Sequence, residues 1–159
     1  MVDESPATMR AVDYVTRMIG CQCGFHVYLL HLLPPMPAEF LEFGGAEDPR
    51  EEQKLQAELH HDQHAWIASV KEAAKPALSS AIDALRAAGL FTYEIELAYS
   101  DPFDERDATV AILGKAREKR CHTIVVGNDS HRWFRKMTGK PLTEHLLRHV
   151  NEITIWIVQ

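Results

Sequence analysis

Three groups of residues have types and spacings that could carry chemistry. The first centres on Gly127. Thr123-Ile124-Val125-Val126 is β-branched and apolar, reads as a buried strand, and stops at this glycine. After a loop, Leu142, Leu146, Leu147 and Val150 take the spacing of one helix face, and Ile153 to Val158 reads as another strand. Strand, loop, helix, strand is a βαβ unit. The loop after the first strand is where α/β proteins seat ligands, because backbone N–H groups and a helix N-terminus meet there. The loop holds Arg132, Arg135, Lys136 and Lys140 around Trp133 and Phe134, in a chain of formal charge -6. Side-chain cations of this kind suit an anion. A charge run is more often a solvated face, here with its aromatics packed down as anchors.

The second group is His60-His61-Asp62-Gln63-His64. His60 and His64 are one helical turn apart and could share a metal. The glutamate of a His-Glu-x-x-His site is missing and no third ligand is evident, so the pair reads as exposed surface. The third is Cys21-Gln22-Cys23. It lacks the two-residue spacing of thioredoxin-like sites and reads as small, half-buried thiols. His31, at the end of an apolar run, reads as a hydrogen-bonded structural residue. There is no Gly-x-Ser-x-Gly, no Gly-x4-Gly-Lys-[Ser/Thr] and no His-x-Gly-His, so no catalytic motif is present.

The elements that must position these residues alternate. Ser5 and Pro6 read as an N-cap and first-turn proline, opening an amphipathic helix that ends at Gly20. Only Met1 and Val2 remain for a strand before it, so the first strand reads as truncated. Phe25 to Leu33 is nearly all apolar, the pattern of a central parallel strand. Residues 34–49, with Pro34-Pro35 and Gly44-Gly45, form a long connection, flexible in part. Arg50 to Ala88 is helical, with Leu55, Leu59, Trp66, Ile67 and Val70 on an apolar stripe. Pro76 predicts a kink or break near Ala74. Phe91 to Tyr99 alternates like a strand near a sheet edge, and Ala108 to Arg120 is a helix. The order β-α-β-α-β-α-β-α-β implies an α/β fold: a Rossmann-like, open, twisted, parallel five-stranded sheet with helices on both faces. At 159 residues it is read as a single domain, 1–159.

No apolar run reaches the ~20 residues of a membrane helix. No signal peptide is visible, and the three cysteines make no disulfide framework. The expectation is a cytoplasmic protein that binds neither membrane nor nucleic acid.

Val2-Asp3-Glu4-Ser5, Leu29-Leu30-His31-Leu32, Ile124-Val125-Val126-Gly127, Thr143 to His149 and Ile155 to Val158 together resemble the universal stress protein family, of the adenine-nucleotide α-hydrolase-like group. The resemblance covers essentially the whole chain. It implies a nucleotide crevice with Asp3 and the Leu32 backbone near the base, and Gly127, Ser130 and Thr143 near ribose and phosphates. ATP-binding members carry Gly-x2-Gly-x9-Gly-[Ser/Thr]. Here Gly127 keeps the first position, Ser130 takes the second, Lys140 the third and Pro141 the last, with Gly139 one residue early. Three of four positions are altered. The expectation is therefore a non-enzymatic, stress-response regulatory or binding domain with weak or absent ATP binding. The alternatives are a site for ATP or AMP with a changed phosphate loop, or a nucleotide hydrolase using Asp3, His31 or Asp129. The family's habit of pairing last strands implies a homodimer through Ile153, Ile155 and Ile157, alongside an unidentified protein partner.

Overall fold

The computed structural model describes residues 1–159 except 4, 20–23, 42–44, 46–47, 92–93, 103–107, 129–134 and 136–138. Four strands are present among the described residues, in two parallel pairs. Strand β1 (Val27–His31) pairs with β2 (Ile95–Tyr99), and β3 (Thr123–Gly127) with β4 (Thr154–Val158). The five-stranded sheet expected from the sequence is thus found as four strands with a seam. At that seam Val2 makes an isolated parallel bridge to His31. Its N–H donates to Leu30 O at 2.9 Å, and the Met1 amino group donates to Val125 O at 3.0 Å. The order across the molecule is β2, β1, Val2, β3, β4.

Helices cover both faces, as continuous apolar strands require. Leu30, Leu32, Ile124 and Val126 pack under α3 (Ala108–Glu118) and α4 (Leu142–His149), against Ile112, Leu113, Leu142 and Leu146. Leu29 turns the other way. It packs with Val2 under α1 (Pro6–Ile19) and α2 (Pro49–Ala87), against Val12, Ile19, Leu78 and Leu85. Alternation along β1 therefore feeds two cores.

Helix α2 departs most from expectation. It runs 39 residues without a break, through Pro76. A proline inside a helix costs about 3 kcal/mol. Leu78 and Leu85 are fully buried just beyond it and contribute roughly 2 kcal/mol each, enough to hold the chain helical. The stripe from Leu55 to Val70 is not core: no residue from 49 to 73 is fully buried, and Leu55 is exposed. Lys71 sits over the Tyr99 ring, at the C-terminal end of β2, with its ammonium 5.0 Å from the ring centroid. The first two-thirds of α2 therefore project past that edge of the sheet. A short 3-10 turn, Ala38–Phe40, leans on this arm. Gln63 Nε2 donates to Phe40 O at 2.7 Å, and the Phe40 and Trp66 rings lie 6.4 Å apart.

Candidate functional site

Because all strands are parallel, their C-terminal ends share one edge. Asp3 follows Val2 there, Leu32 follows β1, Ser100 follows β2, and Gly127 ends β3. The fold thus brings Asp3, Leu32 and Gly127 to one edge. The order changes direction between β1 and β3, and a crevice for ligands forms at such a switch point.

Asp3 is built into the start of α1. Its Oδ1 accepts from Ser5 N at 3.0 Å, from Ser5 Oγ at 2.5 Å and from Thr8 Oγ1. Ser5 Oγ in turn accepts from Thr8 N at 3.3 Å, the N-cap predicted from Ser5-Pro6. Thr8 returns a contact by accepting from Asp3 N at 3.1 Å. The carboxylate therefore ties one short turn to the first turn of the helix. Leu32 is buried, and its neighbour Leu33 donates its N–H to Ser100 Oγ at 2.8 Å.

Gly127 has a packing reason of its own. A Cβ there would lie 2.2 Å from the Ala7 carbonyl oxygen and 2.4 Å from its carbon. The first turn of α1 rests directly on the end of β3, and only glycine permits it. Asn128 then donates its N–H to Val158 O at 2.6 Å and extends the β3–β4 pairing.

The far side of the loop is different in kind. Gly139 has φ of 75°, the left-handed region that favours glycine, and donates to Arg135 O at 2.9 Å. Pro141 is the N-cap of α4 and offers neither a side-chain cap nor an N–H. Lys140 Nζ lies 2.9 Å from Glu144 Oε1, and Arg148 Nη2 lies 2.7 Å from the same oxygen. The Lys140 hydrogen bond, with the charges of Lys140 and Arg148, holds the Glu144 carboxyl below its ordinary value. Thr143 is half-buried on the first turn of α4. Ser130, Asp129 and the central basic residues Arg132 and Lys136 lie outside the described residues.

Three features of the described residues bear on a triphosphate cradle. The space at Gly127 is filled by Ala7, the third glycine position is a paired lysine, and the last position lacks a donor. A carboxylate also stands in the first turn of α4, where a phosphate would gain most from the helix dipole.

Sequence reasoning missed Ala7, Thr8, Ser100 and the partner of His31. His31 is buried and its Nδ1 lies 2.9 Å from Val2 O, so Nδ1–H donates across the seam. Its ring meets Tyr99 edge-on at 5.9 Å. The structural reading of His31 stands. His60 and His64 are both exposed on α2, and no group of three or more metal-ligating side chains occurs among the described residues. Cys21 and Cys23 lie outside the described residues. Cys121 is half-buried, and burial pushes its thiol up from the ordinary value. No helix among the described residues is long and apolar enough to cross a membrane.

A model of the universal stress protein family matches residues 1–158. No curated protein matches the chain. Among solved structures, one from the universal stress protein family of Burkholderia pseudomallei is 16% identical, with a TM-score of 0.62, covering 98% of this chain and 89% of its own. A second, of a universal stress protein in complex with cAMP, is 18% identical, with a TM-score of 0.53, covering 99% and 90%. At these identities the likeness is one of fold.

Proposed function

The chain belongs to the universal stress protein family, and from that premise we propose that it is a regulatory or binding domain, without enzymatic activity, whose ATP binding is weak or absent. The observation that carries this reading is the pairing of Lys140 with Glu144 beside Pro141. It spends the cation at the third motif position on an internal carboxylate, next to a residue with no N–H to give. Calorimetry with magnesium and ATP tests it. No resolvable heat at millimolar ATP is expected, and tight, magnesium-dependent binding would overturn it. A hydrolase reading predicts phosphate release, and the expected result in that assay is background.

A second reading is favoured by one observation. Asp3 and Leu32 share the crevice edge, and a protein of the same fold was solved with cAMP. A smaller adenine nucleotide such as AMP asks less of the phosphate side than ATP does. Binding of AMP without ATP in the same titration would favour this version.

We also propose a homodimer through β4. This strand ends the β3–β4 pair, and among the described residues its outer edge has no strand beside it and is open to a second one. Ile153 and Ile155 lean on the core while Ile157 is exposed. Light scattering on the eluted protein should give twice the chain mass at micromolar concentration, and a monomer mass would count against it.

A further inference from the structure

We propose that His60 and His64 form a chelating pair for a borderline divalent transition ion such as zinc(II), on the projecting arm of α2. The argument starts from the unbroken helix, which fixes their relation. Side chains four apart lie one above the other, with Cβ atoms about 6 Å apart. Both side chains are exposed. Among the described residues neither makes a hydrogen bond, ion pair or ring contact, whereas His31 and His149 each commit Nδ1 to a backbone carbonyl. Two imidazoles facing outward from one helical face suit zinc, nickel or copper, the ions that prefer ring nitrogen.

The neighbours do not obstruct the pair. Ala57 and Ala68 lie on the same face and are too small to cover it. The nearest ion pair, Lys54 with Glu58, lies round the helix. The chain is acidic overall, which favours cations at its surface. Among the described residues no third protein ligand is gathered, and the remaining coordination positions go to solvent. Such a site is open, not the closed four-ligand kind that holds folds together. Closing a chelate across one turn also ties down a stretch with no fully buried residue.

Titration of zinc chloride into the full chain, with any affinity tag removed and in a buffer that does not chelate, tests the proposal. One zinc per chain is expected. His60→Ala and His64→Ala should each weaken binding at least about tenfold, and His61→Ala should leave it unchanged. Alanine is the best helix former, so these variants keep the arm helical, and circular dichroism verifies this. Zinc should also slow amide exchange around residues 56–68 in the wild type and not in His64→Ala. Absence of zinc binding by the wild type, equal binding by the His60 and His64 variants, or loss in His61→Ala would overturn the assignment.

Discussion

The two sides of the crevice are made in opposite ways. On the α1 side, beyond the local turn of Asp3, Ser5 and Thr8, contacts join residues far apart in the chain: Gly127 against Ala7, His31 to Val2, Met1 to Val125. They are buried or half-buried, and each fixes one element of the fold on another. On the α4 side the contacts are local and exposed: Lys140, Glu144 and Arg148 lie one turn apart on the surface. The first side cannot change without disturbing the sheet. The second can change at little cost to folding, because exposed ion pairs contribute about 0–1 kcal/mol. Lys140 and Pro141 fall on the permissive side, and the retained glycine falls on the constrained one.

Substitutions can break or sharpen that contrast. Gly127→Ala should be the most damaging, because the added methyl meets the Ala7 backbone and not a flexible side chain. A loss of about 3 kcal/mol or more is expected in urea denaturation, and a change below about 1 kcal/mol would undo the packing account. Asp3→Ala removes a carboxylate that accepts from Ser5 and Thr8, and should cost about 2 kcal/mol by the same measurement. His31→Leu keeps the volume near that of the ring but leaves Val2 O without its imidazole donor. About 1–2 kcal/mol should be lost, with faster amide exchange at Val2 and Leu30 than elsewhere in the sheet.

Glu144→Gln should leave the melting temperature at neutral pH essentially unchanged. Its pH dependence sharpens the point. A carboxyl held below its ordinary value contributes whatever it contributes above the usual carboxylate range, and loses it as pH falls through that range. The variant should lack that acid-side component. A large fall in stability at pH 7 would show that the α4 side is not permissive after all.

Much of the fold was legible because strands buried on both faces announce themselves. Leu29-Leu30 and Ile124-Val125-Val126 are apolar without alternation; Leu29 and Leu30 feed a core on each side, while Ile124 and Val126 feed the one under α3 and α4. The N-cap at Ser5 was legible for a local reason, since the side chain and the N–H it serves are three residues apart. What failed was longer-range. Pro76 predicted a kink or break, and no break occurs, because burial of Leu78 and Leu85 is a tertiary term that propensity does not contain. The stripe from Leu55 to Val70 has core-like spacing, yet periodicity cannot say whether a surface exists to receive it. In the site, Gly127 was singled out as the end of a strand and the first position of a nucleotide loop, and the group that packs against it is Ala7 of α1. Ala7 and Thr8 are ordinary residues in a helical pattern, and nothing local marks them as partners of β3 and Asp3.

The length of α2 has a hydrodynamic consequence. A straight helix of 39 residues spans about 58 Å. A globular chain of 159 residues has a radius of gyration of about 15 Å. A rod of that length, with its buried residues confined to the stretch from Ala74 onward, makes the particle anisometric. As a single chain or as a dimer, it should sediment more slowly and tumble more slowly than a sphere of equal mass. Its scattering profile should carry a tail of long interatomic vectors set by the direction of one helix.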